Sequence, residues 1–173
     1  KITYAKGEVE TFQYDSWGRL TASTRGERSA AYKYDYFGRL VEKEENGPES
    51  KITNRYEYNA WGQRTLRETV TNGLKLTETT TYDKLGRIAR IESGGNTVTY
   101  EYNLRNQLIR RTANRMPVYY TYTEYGQLET KTLDGRYGDG KTLASLKYIY
   151  ARDGQITARE VNGKLQEYKY DPK

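Results

Sequence analysis

The sequence predicts an all-β protein, a repeat array of antiparallel β-hairpins that forms one long, curved and spiralling sheet. Three observations support this prediction: a tyrosine-led motif returns at short intervals, turn-forming pairs lie between its copies, and tyrosine is frequent. The chain has 19 tyrosines, whereas Leu, Ile, Val and Phe together number 28 of 173 residues. Tyrosine favours strands and buries a large ring while its hydroxyl stays hydrated, so a sheet with polar surroundings is expected.

The recurring motif has the pattern Tyr-x-x-x-Gly-x-Leu/Ile. Its copies, some of them degraded, begin at Tyr14, Tyr34, Tyr58, Tyr82, Tyr102, Tyr122, Tyr150 and, as a partial copy, Tyr170. The spacings are 20, 24, 24, 20, 20, 28 and 20 residues, a period that is typical of repeat proteins. Every spacing is a multiple of four, so a longer interval adds whole residue pairs to both strands of a hairpin and keeps each side chain on its face.

Glycine-containing pairs near the middle of four intervals predict the hairpin turns. Asn72-Gly73, Asn162-Gly163 and Gly94-Gly95 suit two-residue type I′ turns, and Gly26-Glu27 suits a type II′ turn. All four turns place the residue after a motif glycine opposite the tyrosine of the next motif. Arg or Gln and Tyr then become cross-strand neighbours, a contact worth about 0.5–1 kcal/mol at an exposed site.

The other three intervals contain less regular turn sequences. The same register requires turn centres at Pro48-Glu49, Asn114-Arg115 and Gly138-Asp139. Asn46-Gly47 and Pro117 predict longer or irregular loops in the first two of these intervals.

The motif itself predicts the connection between successive hairpins. Asp15-Ser16-Trp17-Gly18 has Asp first and Gly fourth, the preference of a type I turn closed by a left-handed glycine. The positions predicted to be structural in the repeats are Tyr14, Asp15, Gly18, Arg19, Leu20, Tyr34, Asp35, Gly38, Arg39, Leu40, Tyr58, Gly62, Tyr82, Asp83, Gly86, Arg87, Ile88, Tyr102, Tyr122, Gly126, Tyr150 and Gly154.

Neither face of the predicted sheet is purely apolar. In residues 65–82 one face combines Leu74 and Leu76 with Arg67 and Glu78, and the other face is equally mixed. We therefore expect water or a polar partner on both sides. About 15 strands are expected, and open sheets of that length twist, curl or close, which predicts a shell-like sheet.

Charge and composition disfavour several classes of function. The 29 basic and 23 acidic residues give a net charge of +6, but they are interspersed, as in a solvated surface, so no nucleic-acid partner is expected. The chain has no cysteine and no histidine, and we expect no catalytic residues, metal or cofactor. No apolar run approaches the ~18 residues of a membrane span.

The stretches YDSWGRL, YDYFGRL and YDKLGRI, at Tyr14–Leu20, Tyr34–Leu40 and Tyr82–Ile88, resemble the YD repeats of RHS-type proteins. That family includes bacterial polymorphic toxins, insecticidal toxin-complex subunits and the teneurins. The resemblance covers nearly the whole chain, so residues 1–173 are expected to be a single segment of about seven hairpin repeats, truncated at both ends. It departs from the pattern at Asn106 for Gly and at Arg64 for Leu, which puts the local packing at Arg64 in doubt.

The resemblance implies a non-enzymatic scaffold from a secreted or cell-surface protein. The family's repeats form a hollow shell that, in the toxins, encloses a C-terminal toxic domain. The implied partners are the rest of the shell and an enclosed cargo. The self-cleaving core of the toxins is not found here, because Asp171-Pro172-Lys173 ends before the glycine of its signature and fits the start of another repeat.

Three alternatives are weighed against the scaffold. An extracellular binding module could engage glycans or a protein receptor through its aromatic residues, with Trp17 and Trp61 as possible glycan-stacking residues. A calcium loop at residues 134–140 is disfavoured against a plain hairpin loop, because two aspartates are few ligands and Arg136 opposes the charge. A hydrolase would need turnover that one Asp→Asn change abolishes.

The two ends of a segment cut from such an array would expose unpaired sheet edges. Exposed edges pair with other strands, so self-association between edges is expected. Sedimentation at increasing protein concentration tests this expectation, and a monomer at every concentration would contradict it.

Overall fold

The computed structural model describes residues 1–3, 9–135 and 142–170. These residues form strands and turns and contain no helix. The strands are β1 (Ile2–Thr3), β2 (Val9–Tyr14), β3 (Leu20–Arg25), β4 (Arg28–Tyr34), β5 (Leu40–Asn46), β6 (Lys51–Tyr58), β7 (Arg64–Thr71), β8 (Leu74–Tyr82), β9 (Ile88–Ser93), β10 (Asn96–Tyr102), β11 (Leu108–Ala113), β12 (Met116–Tyr122), β13 (Leu128–Asp134), β14 (Thr142–Tyr150), β15 (Ile156–Val161) and β16 (Lys164–Glu167).

The strands form one open antiparallel sheet in which they follow one another in chain order. This arrangement confirms the predicted all-β fold, and each predicted hairpin is present as a pair of consecutive strands. The chain divides into two compact units, one of Lys1–Thr81 with Glu92–Gly94 and one of Tyr82–Ile91 with Gly95–Lys173. Each unit is a series of hairpins joined by motif connectors.

The predicted register is confirmed at most hairpins. At the Asn72-Gly73 turn, Thr71 pairs with Leu74, and the two turn residues have φ of 48° and 82°, as a type I′ turn requires. The Gly26-Glu27 turn pairs Arg25 with Arg28. The three less regular intervals keep the same register, with the pairs Asn46–Lys51, Ala113–Met116 and Leu133–Ala144.

One of the two predicted irregular loops is wrong. A four-residue loop does follow Asn46, where the Gly47 N–H donates to the Ser50 carbonyl at 2.8 Å. By contrast, Pro117 lies inside β12 opposite Thr112, and Asn114 and Arg115 form a two-residue turn with positive φ at both positions. In such a hairpin the second pair from the turn has no hydrogen bonds between its strands, so the missing N–H of proline costs no bond to β11.

The sheet has almost no apolar core. Among the described residues, the buried apolar side chains are Pro117, Val118 and Ala158, and the buried polar ones are Asn54 and Thr80. The Asn54 side-chain oxygen accepts a hydrogen bond from the Thr69 hydroxyl at 2.8 Å. The prediction of mixed, hydrated faces is therefore confirmed, and hydrogen bonds and partly covered rings hold the strands together.

A row of alternating charges crosses five strands of the first unit, from β4 to β8. Lys33 contacts Glu42 at 2.8 Å, Glu42 contacts Arg55 at 3.0 Å, and Arg55 contacts Glu68 at 3.2 Å. Glu68 also pairs with Lys75. Opposite charges on directly facing residues favour strand pairing, so this row supports the strand order without an apolar face.

Candidate functional site: the connectors and their aromatic side chains

Each motif folds into a five-residue connector between two hairpins. In the first connector the Gly18 N–H donates to the Asp15 carbonyl at 3.0 Å, and the Asp15 N–H donates to the Arg19 carbonyl at 2.9 Å. One carboxylate oxygen of Asp15 accepts from the N–H groups of Trp17 and Arg19, both at 2.9 Å. Gly18 has φ of 77°, so the predicted type I turn with a left-handed glycine is confirmed.

The aspartate of the connector also holds the arginine four residues later. The Nε of Arg19 donates to Asp15 Oδ2 at 2.7 Å, and Arg39 makes the same bond to Asp35 at 2.6 Å. Arg87 and Asp83 repeat it at 2.7 Å. Sequence reasoning placed these arginines against the next tyrosine and missed their bond to the aspartate.

The two connector positions change type together in five connectors, whereas the last two connectors combine Thr123 with Gln127 and Ala151 with Gln155. Where asparagine replaces aspartate, glutamine replaces arginine: the Asn59 amide donates to Gln63 Oε1 at 2.9 Å, and Asn103 donates to Gln107 at 2.7 Å. An ionic pair in three connectors thus becomes a neutral amide pair in two. The matched change leaves no unpaired charge at these two positions.

This matching predicts a strongly non-additive double mutant. Asp35→Asn and Arg39→Gln are each expected to destabilise the protein, because each leaves one charge beside a neutral partner, whereas the double variant recreates the Asn59–Gln63 pair. Urea unfolding followed by circular dichroism measures the three free energies of unfolding, and interaction energies within one network are not additive. Additive losses in the double variant would show that the two side chains act independently.

Hydrogen bonds lower the pKa of the connector aspartates. Desolvation alone raises the pKa of Asp15, but bonds from the Arg19 backbone N–H, the Arg19 guanidinium and the Trp17 N–H outweigh it, and the pKa falls below its ordinary value. The pKa values of Asp35 and Asp83 are lowered by the same balance of desolvation and connector hydrogen bonds.

These shifts predict a loss of stability in acid. A carboxyl whose pKa is lower in the folded state contributes stability above its unfolded pKa of ~3.9, and this contribution disappears as the pH falls through the lowered folded value. Urea unfolding between pH 7 and pH 2 should therefore show a smaller loss when all three connectors carry Asp→Asn and Arg→Gln. Glu42, Glu44 and Glu68 have lowered pKa values in both proteins, so only the difference between the two profiles reports on the connectors.

Motif tyrosines in both units bond the carbonyl of the strand residue that directly follows the preceding connector. The Tyr34 hydroxyl donates to the Leu20 carbonyl at 2.8 Å, and the Tyr58 hydroxyl donates to the Leu40 carbonyl at 2.7 Å. The hydroxyls of Tyr102, Tyr122, Tyr150 and Tyr170 make the equivalent bond to Ile88, Leu108, Leu128 and Ile156. Tyr170 therefore behaves as a repeat tyrosine, while Asp171-Pro172-Lys173 lies outside the described residues.

The residue after the motif glycine forms a second link. The Arg19 guanidinium lies over the Tyr34 ring at 4.8 Å, Arg39 lies over Tyr58 at 4.7 Å, and Arg87 lies over Tyr102 at 4.5 Å, which confirms the predicted contact. Side chains at this position also donate to a carbonyl of the next connector: Arg39 to Asn59, Arg87 to Asn103, Gln107 to Gly126 and Gln127 to Gly154.

The opposite ends of the hairpins have a different link, which the sequence did not reveal. The Asn162 N–H donates to the Ser145 carbonyl at 2.9 Å, and the Asn162 side-chain oxygen accepts from the Ser145 N–H at 2.7 Å. Asn114 makes both bonds to Thr97, at 3.0 and 3.1 Å. A turn asparagine thereby extends the main-chain ladder by one residue towards the preceding hairpin.

The aromatic residues singled out for glycan stacking lie on two different connectors. Trp17 is 79% exposed on the connector from β2 to β3, and Trp61 is 85% exposed on the connector from β6 to β7. Phe37, which the sequence reasoning did not single out, occupies the same motif position on the connector between them. A cleft of about 660 Å³ separates the first two connectors and is lined by both Trp17 and Phe37.

The described residues show no group of three or more acidic side chains placed to hold a metal ion. Most of the loop considered for calcium, residues 136–140, lies outside the described part of the chain.

Arg64 replaces the motif leucine at the start of β7. Its side chain contacts Glu78 at 3.5 Å and the Tyr56 ring at 5.8 Å. Within the described ranges, no helix is long and apolar enough to cross a membrane.

Comparison with known proteins finds similar sequences. The teneurin YD-shell family model matches residues 7–91. The tRNA3(Ser)-specific nuclease WapA of Bacillus spizizenii is 28% identical over 163 residues, which are 92% of this chain and 6% of that protein.

Two solved structures have a similar course of the backbone. The crystal structure of TcdB2-TccC3-TEV has a TM-score of 0.42 at 14% identity and covers 93% of this chain and 12% of its own. A porin-like protein from Bacteroides uniformis has a TM-score of 0.43 at 15% identity, over 93% of this chain and 87% of its own. TM-scores this low do not bear on function. The matched YD-shell model shows that residues 7–91 belong to the RHS/YD-repeat family, and the connectors and hairpins of the following residues repeat the same pattern.

Proposed function

We propose that this chain is a non-enzymatic wall segment of an RHS/YD-repeat shell, in a secreted or cell-surface protein, and that the shell encloses a cargo such as a C-terminal toxin domain. Residues 1–173 act as one segment of about seven hairpin repeats. The partners of the segment are the remainder of its own shell and the enclosed cargo.

The observation that carries this proposal is the double link between connectors. Tyrosine hydroxyls and the side chains after the motif glycine bond carbonyls of neighbouring connectors along both units. Each bond contributes about 1 kcal/mol, and links of both kinds recur within each of the two units. A sheet tied in this way can act as a wall although it has almost no apolar core.

Cargo protection in the parent protein tests the proposal. The intact protein is treated with protease, and the fragments that survive are identified by mass spectrometry. We expect an enclosed domain to be protected in the wild type and digested when Tyr58→Ala and Arg39→Ala weaken the wall. Leu85→Ala, an exposed connector change, is the matched control. Equal digestion in all three proteins, or single-particle images of a rod without a cavity, would contradict enclosure.

A second candidate function is an extracellular binding module for glycans or a protein receptor. The exposure of Trp17 and Trp61, 79% and 85%, favours it, because large aromatic side chains at exposed connector positions contribute little to folding. A glycan array tests this candidate. Specific hits that are lost on Trp17→Ala or Trp61→Ala would support it, and an array without hits would count against glycans.

A further inference from the structure

Three consecutive connectors of the first unit present an aromatic ring at the same position. Trp17, Phe37 and Trp61 each stand directly before the connector glycine and are 79%, 77% and 85% exposed. They are called the aromatic row below. Tyr36, beside Phe37, packs its ring edge-on against it with centroids 5.6 Å apart.

Two rings of the aromatic row each lie beside an arginine. The Arg19 guanidinium lies 4.8 Å from the Trp17 ring centre, and the Arg39 guanidinium lies 5.1 Å from that of Phe37. Each guanidinium is itself fixed by the connector aspartate. Because these two rings remain more than three-quarters exposed, most of each ring is accessible to a ligand, and the guanidinium contact orients it.

The spacing of the aromatic row fits a linear glycan. Successive connectors are separated by two strands, or about 9–10 Å, which is close to the repeat of a β-1,4-linked disaccharide. Alternate sugars of such a chain present the same face, so one ring can stack on every second sugar. The Arg19 and Asp35 side chains line the cleft between the first two rings and supply polar groups for sugar hydroxyls.

We propose that the aromatic row binds five consecutive sugars of a linear β-1,4-linked polysaccharide. Trp17, Phe37 and Trp61 stack on the first, third and fifth of these sugars. This inference rests on the second candidate function and specifies its ligand class. Adjacent strands are rotated by about 20–25°, so the three rings are not coplanar. The ligand is therefore a soluble, twisted chain and not the flat surface of a crystalline polymer.

Titration calorimetry of the full chain with soluble cello- and chito-oligosaccharides of two to six sugars tests the inference. Affinity should rise steeply at five sugars, and the α-1,4-linked maltopentaose should not bind. Phe37→Ala should weaken the pentasaccharide about tenfold and remove the length dependence, because it interrupts the aromatic row. Leu85→Ala, at the same position of another connector, should leave binding unchanged. Circular dichroism establishes that each variant is folded.

The outcomes separate this inference from the functions on which it stands. Binding that does not depend on length or linkage, or that survives Phe37→Ala, would overturn the row as a glycan site while leaving the binding module. Binding to crystalline polymer but not to soluble chains would overturn the twisted-chain assignment. If no oligosaccharide binds, both this inference and the glycan-binding function are contradicted. The protease experiment on the parent protein still tests the shell function independently.

Discussion

Replacing Tyr58 by alanine is expected to lower the free energy of unfolding by about 3 kcal/mol. The half-buried ring lies 4.7 Å from the Arg39 guanidinium, and its hydroxyl donates to the Leu40 carbonyl at 2.7 Å. Desolvation raises the pKa of this hydroxyl, in agreement with its covered position. Urea unfolding followed by circular dichroism measures the loss.

A second variant of Tyr58 separates the contribution of its hydroxyl from that of its ring, and a variant of Tyr36 is the control. Tyr58→Phe keeps the ring and removes the bond to Leu40, so we expect a loss of about 1 kcal/mol. Tyr36→Ala removes a tyrosine that is 96% exposed and should change stability by less than about 0.5 kcal/mol. If Tyr58→Phe were as damaging as Tyr58→Ala, the hydroxyl alone would carry the link between connectors.

The substitution Gly154→Ala is expected to cost about 2 kcal/mol, because a left-handed backbone opposes a Cβ by about 1–2 kcal/mol and the space beside this glycine is occupied. Gly154 has φ of 86°, and an added Cβ would lie 3.1 Å from Gln127 Nε2. That nitrogen donates to the Gly154 carbonyl at 3.1 Å. The substitution therefore strains the connector and displaces its link to the preceding one.

Gly18→Ala is the matched control for this substitution. Gly18 has φ of 77° and no neighbour within 4 Å of an added Cβ, so only the backbone term applies. Gly154→Asn should be milder than Gly154→Ala, because asparagine tolerates this backbone, as Asn106 does at φ of 62° in the corresponding position. Equal losses in Gly18→Ala and Gly154→Ala, measured by urea unfolding, would show that the Gln127 contact has no energetic role.

The register could be predicted because strand geometry has a strict period of two. Turn residues such as Asn72-Gly73 fix the centre of a hairpin, and every other pairing then follows, which placed Arg19 opposite Tyr34. The same reasoning failed at Pro117, where it predicted a longer or irregular loop and the structure has a regular strand. Its effect depends on which pairs of the ladder carry hydrogen bonds, and composition alone does not show that.

The bond between Asp15 and Arg19 was within reach of the sequence. Asp accompanies Arg in three connectors and Asn accompanies Gln in two, a pairing visible in the printed residues. It was missed because a guanidinium was assigned one partner, although its five N–H donors allow it to bond an aspartate while it stacks on a ring. The two hydrogen bonds between Asn162 and Ser145 depend on how closely the Asn162 turn approaches β14, and the sequence does not show that distance.

The connector links explain how arrays of this kind can recombine. Inside a connector, residue types are matched between positions four apart, such as Asp35 and Arg39. Between repeats, the acceptor of Tyr58 is the Leu40 carbonyl and the acceptor of Gln127 is the Gly154 carbonyl. Because every amino acid supplies a carbonyl, these hydrogen bonds need no complementary residue in a neighbouring repeat, whereas a charge pair between strands, such as Arg55 and Glu68, does. The connector hydrogen bonds alone therefore place no restriction on lengthening or shortening an array by whole repeats.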